Sequence, residues 1–410
     1  MYTKTEKCRI CGNTRLVNVL DLGVQALTGT FPRTRDASLT RGPLRLVKCT
    51  GGGGVCGLLQ LEHSYDLHEM YGENYGYRSA LNVSMVTHLH AKVRRILEGV
   101  SLRDGDLIVD IGSNDSTTLQ AYPAQGTVLV GIDPTGSKFA KHYPPHIHLI
   151  PDFFSARALQ ERFPGKKAKV VSSFSMFYDL EDPVAFMREV HEVLADEGVW
   201  VFEQSYMPTM LETNSYDTVC HEHLEYYGLT QIKWMADRVG FTIMDVELND
   251  INGGSFSVVV RKSGPGRVPG AAVRRMLEEE ERKGLDALEP YEAFARRAAD
   301  SRSELLGFLY QARAQGKAVA GLGASTKGNV ILQYCGLTEK DIAAIGEVNS
   351  DKFGCYTPGT RIPIIPEDEL LRRKPDYLLV LPWHFRKFFE GSRKFSSAKL
   401  FVPLPRLEFI

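Results

Sequence analysis

The sequence predicts an α/β chain built from three segments. Two series of short apolar strands alternate with helical stretches, one from about residue 107 and one from about residue 317. This alternation is typical of βα units around a mainly parallel sheet. The part before residue 75 lacks such periodicity and carries four cysteines among glycines and prolines. We therefore expect segments at 1–75, 76–265 and 266–410, the last beginning with a helical connector.

The composition indicates a globular protein that binds small molecules. The chain has 410 residues, 43% of them apolar, and a formal net charge of -1. That length exceeds what one core usually supports, and the balanced charge argues against nucleic-acid and anionic-membrane partners. No apolar run reaches the roughly 18 residues of a membrane span, and the first residues lack the apolar stretch of a signal peptide. We expect a cytoplasmic monomer without membrane or nucleic-acid partners.

Four early cysteines predict a structural zinc ion in a small, loop-rich module. Cys8 and Cys11 form a Cys-x2-Cys knuckle, and Cys49 and Cys56 form a second pair, widened by four inserted glycines. Four thiolates are a donor set of closed, tetrahedral zinc sites. The alternative is four unrelated buried thiols. A redox role is disfavoured because no βαβ pattern flanks the knuckle.

The second and third segments are each predicted to be Rossmann-like, the third being the smaller. A helical pattern between Leu81 and Leu97 leads into the second segment. Its predicted strands lie at 107–110, 127–132, 148–150, 169–172, 198–202, 241–245 and 255–260, the last pairing antiparallel with the one before it. A helical connector at 266–315 precedes the third segment, whose predicted strands lie at 317–323, 342–345, 377–381 and 399–402.

The first strand of the second segment ends in a loop that predicts a methyl-donor site. Ligands of doubly wound sheets lie beyond the carboxyl ends of the strands. In Asp110-Ile-Gly-Ser-Asn-Asp115, Gly112 allows close backbone approach, and Asn114 and Asp115 are suited to cap a helix or bind a carboxylate and an amine. Asp133, after the second strand, is expected to accept both ribose hydroxyls. A single glycine in the loop favours S-adenosylmethionine (SAM) over NAD.

Two further stretches carry candidate site residues of the second segment. Asp152 and Phe153 follow its third strand and offer an aromatic face to an adenine. His221-Glu-His-Leu-Glu225 holds a candidate general base, because histidine is the usual base at neutral pH. The alternative is a solvated turn with incidental histidines. Tyr75 and Tyr77 form a polar aromatic patch that suits a sugar, or that packs in the core.

A second glycine turn opens the third segment. Gly321-Leu-Gly-Ala-Ser-Thr-Lys-Gly-Asn329 follows a strand and begins a helix, so its backbone N–H groups, Ser325 and Lys327 are candidates to bind a phosphate. It is not a P-loop, and an ordinary βα connection is the alternative. Asn349 and Lys352, near the end of the next strand, are expected on the same rim.

As a set, these motifs resemble the nucleotide-sugar C-methyltransferases of deoxysugar biosynthesis, such as those that make tetronitrose and mycarose. The resemblance spans nearly the whole chain. It rests on the four cysteines, Asp110 to Asp115, Asp152-Phe-Phe154, Val201-Phe-Glu203, Glu222-His223, Gly253-Gly254, Gly323-Ala324 with Lys327, and Thr357-Pro-Gly359 with Ile362-Pro363.

The resemblance implies SAM in the middle domain and a nucleotide-diphosphate sugar between it and the C-terminal domain. It implies that His223 is the base, assisted by Glu222, with Tyr77 near the sugar. His223 then removes the C3 hydrogen of a 4-keto-6-deoxysugar, and the enolate carbon takes the methyl group. The alternatives are an O- or N-methyltransferase and a non-catalytic nucleotide-sugar-binding protein.

Two positions depart from the family pattern. Ser116 stands where the family often has glycine, which alters the turn at SAM. Cys220 replaces a tyrosine that some members place two residues before Glu222, with Tyr178 or Tyr226 as the candidate replacement contact to the sugar.

Overall fold

The computed structural model describes residues 2–70 and 77–410. Three β-sheets of four, seven and six strands and a two-stranded ribbon, Tyr2–Lys4 with His63–Tyr65, organise the described chain. Every helix in these ranges is too short or too polar to cross a membrane. The α-helices are Leu67–Met70, Val83–Gly99, Gly136–Phe139, Ala156–Arg162, Pro183–Val193, Met207–Glu212, Leu229–Val239, Ala271–Arg282, Glu289–Ala314, Thr326–Tyr334, Glu367–Arg372 and Arg386–Glu390.

The N-terminal module contains a regular sheet, so the prediction of a loop-rich module was wrong. Its antiparallel strands lie in the order Glu225–Tyr226, Leu59–Leu61, Arg41–Cys49 and Leu16–Ala26. Arg41–Cys49 is buried along nearly its whole length, so it lacks the polar and apolar alternation that marks a strand with one wet face. The edge strand Glu225–Tyr226 comes from the histidine-containing loop, which is thereby fixed to this module.

The seven-stranded sheet confirms the predicted Rossmann-like pattern of the second segment. Its order is Phe241–Asn249, Ser255–Lys262, Leu194–Ser205, Ala168–Phe174, Leu107–Ile111, Val128–Ile132 and Ile147–Ile150. The strand Ser255–Lys262 pairs antiparallel with both its neighbours, and the other pairs are parallel. Strand order reverses at Leu107–Ile111, so a ligand is expected beyond its carboxyl end.

The six-stranded sheet forms the second Rossmann-like unit. Its order is Ile364–Pro366, Ile345–Glu347, Val319–Leu322, Tyr377–Val380, Lys399–Val402 and Glu408–Phe409. The strand predicted at 342–345 begins only at Ile345, after an irregular approach in which Ala343 N donates to Val319 O at 3.1 Å. The reversal point of this sheet lies at Val319–Leu322, directly before the glycine turn.

The N-terminal module packs against both Rossmann-like units. Leu46 belongs to the same buried apolar cluster as Leu379 of the six-stranded sheet. Leu58 belongs to a second cluster, together with Phe202 of the seven-stranded sheet. This packing holds the histidine-containing loop between the two sheets.

Candidate active site

The loop after Leu107–Ile111 has an unusual backbone. Gly112, Asn114 and Ser116 have φ of 74°, 49° and 65°, in the left-handed region that favours glycine. A Cβ on Gly112 would lie 3.0 Å from the Met176 side chain, so this position has little room for a larger residue. Ser116 adopts the conformation that a glycine would adopt freely, which explains the family preference. Its hydroxyl donates to His142 O at 3.1 Å.

Asp133 ties this loop to the second strand. Its Oδ2 accepts from Asn114 N at 2.8 Å, and its Oδ1 accepts from the N and Oγ1 of Thr135 at 2.7 and 2.5 Å. A carboxylate has about four lone-pair sites. Three of these sites accept from this chain, which leaves about one acceptor site of Asp133 open.

Asp110 lies underneath the loop and is 2% exposed. Its Oδ1 accepts from Ser172 Oγ at 2.5 Å. Burial, together with the charge of the nearby Asp133 and opposed by two hydroxyl donors, raises the pKa of Asp110 to about 7. Its burial and its hydroxyl partners suit a structural role more than direct contact with a ligand.

Asn114 and Asp115 join the loop to the segment that carries Tyr77. Asn114 Oδ1 accepts from Ser79 N, and Asp115 Oδ2 accepts from Ala80 N, both at 3.0 Å. Asn114 Nδ2 donates to Tyr77 O at 3.2 Å, and the Tyr77 side chain is 47% exposed. Tyr75 lies outside the described residues.

Asp152 and Phe153 lie beyond the third strand, as predicted, at the surface. Asp152 Oδ1 accepts from Phe153 N at 2.7 Å, and the Phe153 ring is 38% exposed. An aromatic face is therefore available at the same edge of the sheet as the Gly112 loop.

The orientation of His223 leaves one ring nitrogen free to act as a base. Its Nδ1 lies 2.9 Å from Thr218 O, and because a carbonyl only accepts, Nδ1 carries the proton. Nε2 then holds the lone pair, and it is not among the buried unpartnered atoms of the described residues. Burial, together with the charge of Lys327, lowers the pKa of His223 to about 3. The neutral imidazole stacks on Tyr178, with ring centroids 4.2 Å apart.

A small recess, with room for about one water molecule, lies beside His223. Glu222, the preceding residue, points instead toward the N-terminal module, where its Oε2 accepts a long bond of 3.5 Å from Thr28 Oγ1. A Cβ on Gly29 would lie 2.3 Å from Glu222 Oε1, so the two segments are in close contact. Burial raises the pKa of Glu222. The recess is lined by Tyr178, Ser205, Met207, Met210, Thr218, His223, Glu225 and Tyr226.

Cys220 and Tyr226 bear on the departure from the family pattern. Cys220 is fully buried, and burial raises the pKa of its thiol well above the usual value. Tyr226 is also buried, and its hydroxyl donates to Thr218 O at 3.5 Å. Cys220 therefore offers a neutral, weak donor where a tyrosine hydroxyl stands in some relatives.

The glycine turn of the third segment faces the histidine-containing loop. Ser325 caps the helix Thr326–Tyr334 by accepting from Gly328 N at 3.0 Å. Lys327 Nζ donates to Asn252 O at 2.6 Å, which bridges the two Rossmann-like units. Burial lowers the pKa of Lys327, and the charge of Asp217 partly offsets this.

Lys352 contacts the glycine turn, and Asn349 lies three residues before it in the chain. Lys352 Nζ donates to Ala324 O at 2.7 Å and lies 4.4 Å from the centroid of the Phe31 ring. Asn349 Oδ1 accepts from Asp351 N at 3.0 Å. Burial lowers the pKa of Lys352. The structure thus brings Ser325, Lys327 and Lys352 to one turn.

The sequence analysis did not single out three residues near Lys327, namely Asp217, Trp383 and His384. Trp383 Nε1 donates to Asp217 Oδ2 at 2.8 Å, which joins the end of the strand Tyr377–Val380 to the segment preceding His223. His384 follows Trp383, and the charge of Lys327 acts on it as it does on His223. The available signal was Pro382-Trp-His-Phe385, which directly follows a predicted strand at the carboxyl edge of the sheet.

The four early cysteines converge, and the donor set fits zinc. Their sulfur atoms all lie within 4.8 Å of one another. Cys8 and Cys56 are 3.4 Å apart, and Cys11 and Cys49 are 3.6 Å apart, measured between Sγ atoms. Four thiolates in such a cluster match a closed structural site. The buried Lys48 ammonium donates to Gly57 O beside them and offsets part of their negative charge.

Three family models match successive parts of the chain, and one curated relative matches nearly all of it. A zinc binding domain model matches residues 8–71, a methyltransferase domain model matches residues 85–246, and a C-methyltransferase C-terminal domain model matches residues 250–405. The chain is 29% identical over 406 residues to the C-methyltransferase NovU of Streptomyces niveus, covering 98% of this chain and 96% of NovU.

Two solved methyltransferase structures each match part of the chain. The CcbJ methyltransferase of Streptomyces caelestis covers 43% of this chain and 90% of its own at 12% identity, with a TM-score of 0.34. The plantazolicin methyltransferase BpumL in complex with SAH covers 43% and 84% at 12% identity, with a TM-score of 0.35. The three successive family models and NovU together identify the chain as a SAM-dependent C-methyltransferase of the NovU type with a structural zinc module.

Proposed function

We propose that this C-methyltransferase acts at C3 of a nucleotide-linked 4-keto-6-deoxysugar, with His223 as the base. The orientation of His223 carries the proposal. Its Nδ1 is committed to Thr218 O, so the basic lone pair is on Nε2, beside a recess that is lined by residues of the middle segment. The imidazole is neutral, so its Nε2 lone pair can accept a proton from carbon without the ring first losing a proton to water.

The chemistry follows from the acidity of a carbon next to a ketone. His223 Nε2 takes the C3 proton, and the electron pair of the C–H bond moves into an enolate with its charge on the C4 oxygen. When bound, SAM supplies an electrophilic methyl group to that carbon. The proton on His223 then leaves to solvent, which restores the base. A 4-keto group also acidifies C5, so the position of the new methyl group is itself a test.

The remaining predicted residues are assigned either to the methyl donor, SAM, or to the sugar nucleotide that accepts the methyl group. The Gly112 loop, with Asn114 and Asp115, would hold SAM, and Asp133 has one lone-pair site left for its ribose. The exposed Phe153 ring beside Asp152 would face the adenine. Asp110 supports the loop from below.

The nucleotide diphosphate is assigned to the glycine turn. Lys327 and Lys352 each donate one hydrogen bond to a backbone carbonyl, and an ammonium has three N–H groups, so both retain donors for phosphate oxygens. The N-terminus of the helix Thr326–Tyr334 also favours an anion. Ser325 and Asn349 flank this place, and Tyr75, Tyr77 and Tyr178 are assigned to the sugar. All these groups come from one chain, so we propose that a monomer is active.

Glu222 is assigned to positioning rather than proton transfer. Its contacts are with Thr28 and Gly29 of the N-terminal module, and burial raises its pKa. It therefore locks the segment next to His223 against the module.

Solvent exchange at carbon tests the base. The wild type, incubated in D2O without SAM with thymidine, guanosine or cytidine diphosphate 4-keto-6-deoxysugars, is expected to exchange the C3 hydrogen of one of them. His223→Asn retains the N–H that donates to Thr218 O but lacks a basic nitrogen, and it should lower the exchange rate at least about a hundredfold. His146→Asn, at an exposed histidine, is the control. Exchange by His223→Asn at the wild-type rate would exclude His223 as the base.

A further inference from the structure

The proposed sugar nucleotide has to meet two elements of the fold at once. Its diphosphate is assigned to the start of the helix Thr326–Tyr334, and its C3 hydrogen is assigned to His223. These two elements belong to different segments of the chain. Proton transfer requires the base within hydrogen-bond reach of the carbon, and a misplacement of about 1 Å can cost about a hundredfold in rate. The contacts that join the helix to the histidine-containing loop therefore affect catalysis.

The helix is fixed to the N-terminal module by two amide side chains. Asn329 is 1% exposed, and its Nδ2 donates to Thr28 O at 2.8 Å. One turn later, the Gln333 amide accepts from Ala26 N at 2.7 Å and donates to Ala26 O at 3.1 Å. The helix that carries the proposed phosphate site is thus joined to the end of the module's edge strand and to the residues that follow it.

Thr28 joins this contact to the histidine-containing loop. Thr28 is fully buried, and its Oγ1 lies 3.4 Å from His221 Nδ1 and donates a long bond of 3.5 Å to Glu222 Oε2. His221 and Glu222 directly precede His223 in the chain. A single residue therefore contacts the helix through its carbonyl and the histidine-containing loop through its hydroxyl.

Two further contacts hold the histidine-containing loop against the module. The buried His221 ring packs edge-on against Tyr65, with ring centroids 4.6 Å apart. A Cβ on Gly29 would meet Glu222 Oε1 and would lie 3.7 Å from Thr326 Oγ1. The module, the histidine-containing loop and the first residue of the helix therefore converge at Gly29.

We propose that Asn329 is a positioning residue that sets the distance between the phosphate-binding helix and the base, His223. This rests on the proposed function. Asn329 acts through Thr28: its amide holds the Thr28 main chain, and the Thr28 hydroxyl holds Glu222 next to the base. The substrate spans the same two elements, so this link places the C3 hydrogen within reach of His223 once the diphosphate is bound.

Two substitutions that each remove one part of the link test this role. Asn329→Leu has the same branched shape and loses only the bond to Thr28 O, because Asn329 Oδ1 has no hydrogen-bond partner among the residues that the structure describes. Thr28→Val keeps its shape and loses the hydroxyl.

Both variants are assayed with thymidine diphosphate-4-keto-6-deoxyglucose, or whichever of the three nucleotide sugars the wild type exchanges. Each should lower kcat for exchange of the C3 hydrogen about tenfold or more and leave KM within about twofold of the wild type. The double variant should be within about threefold of the slower single variant, because both changes break the same link.

Gln333→Met is the matched control, because it removes two hydrogen bonds between the same helix and the module at Ala26 rather than at Thr28. Its kcat for exchange should stay within about twofold of the wild type. Calorimetry with SAM and with the nucleoside diphosphate of the sugar should give a Kd within about threefold of the wild type for every variant, which also shows that each is folded.

Three results would overturn the role of Asn329 while leaving the proposed function intact. They are a wild-type kcat in Asn329→Leu, a loss of kcat in Gln333→Met as large as that in Asn329→Leu, and weakened binding of the nucleoside diphosphate by Asn329→Leu. Absence of exchange by the wild type with all three nucleotide sugars would overturn the proposed function, and the role of Asn329 with it.

Discussion

Glu280 connects the helical connector to the helix that follows the histidine-containing loop. It is 3% exposed, and its carboxylate is surrounded by donors. Oε1 accepts from Tyr206 OH at 2.8 Å and from Leu229 N at 2.5 Å. Oε2 accepts from the N and Oγ1 of Thr230 at 2.9 and 2.6 Å. The N-cap of the helix Leu229–Val239 is Gly228, which has no side chain to accept from these amides. Glu280, which is far away in the sequence, accepts from them instead.

The cost of removing this carboxylate can be estimated from the four hydrogen bonds. Glu280→Gln keeps one acceptor oxygen, which serves two of the four donors, and turns an amide NH2 toward the others. A buried donor left without a partner costs about 1–3 kcal/mol, and at about 1.5 kcal/mol each, two of them cost about 3 kcal/mol. Glu279→Gln changes the neighbouring, exposed residue, whose i,i+4 ion pair with Lys283 is worth about 0.5 kcal/mol at most.

Amide hydrogen exchange measures this effect locally. If opening of the helix start becomes about 3 kcal/mol easier, protection of the Leu229 and Thr230 amides should fall about a hundredfold in Glu280→Gln. Glu279→Gln should leave that protection within about twofold of the wild type. Protection of these amides that is the same in both variants would refute the reasoning that a buried carboxylate caps this helix.

Three further predictions concern the site. Ser116→Ala keeps the left-handed backbone but loses the hydrogen bond to His142 O, so it should lower the free energy of unfolding by about 1–2 kcal/mol. Ser116→Gly loses the same hydrogen bond but relieves the backbone strain, so its stability should be close to that of the wild type. Equal unfolding midpoints of the two variants in urea would contradict this. Gly29→Ala should place a methyl group against Glu222 and lower the rate of C3 exchange about tenfold or more. Gly307→Ala is the control, because a Cβ at Gly307 meets no neighbour within 4 Å. A wild-type exchange rate in Gly29→Ala would contradict the positioning role of Glu222. Because the pKa of His223 is lowered to about 3, the imidazole stays unprotonated as the pH falls through 6.5. The rate of C3 exchange should therefore be level from pH 8 to pH 5. A fall in the rate below about pH 6.5 would contradict the assignment of this buried His223 as the base.

The two Rossmann-like sheets were predictable because their strands are local. Leu107–Ile111 and Val128–Ile132 are short apolar runs between polar turns, and periodicity detects such runs. The module sheet was not predictable in this way. Arg41–Cys49 is buried on both faces, and Glu225–Tyr226 is a strand of two residues formed only because Leu59–Leu61 lies beside it.

The candidate site, like the fold, was only partly predictable from the sequence. His223 and Lys327 stand in motifs that carry a resemblance, so the sequence identified them. The tautomer of His223 depends on Thr218 O, and the place of His384 depends on a contact between Trp383 and Asp217 across 166 residues, so neither is visible in the chain. Ser116 is an intermediate case, since the family preference for glycine marked the position and the structure gives its reason, a φ of 65°.

The central claim is that the methyl group is transferred to a carbon next to a ketone. Its most direct test is the reaction of the wild type with SAM labelled with 13C in the methyl group and the nucleotide 4-ketosugar that it exchanges, followed by NMR of the product. We predict a methyl singlet with long-range correlations to C2, C3 and C4, because C3 then carries no hydrogen. A methyl carbon correlated to C5 would show that methyl transfer occurs at the carbon on the other side of the ketone, against the proposed C3 position. A methyl carbon bonded to oxygen or nitrogen would contradict transfer to carbon.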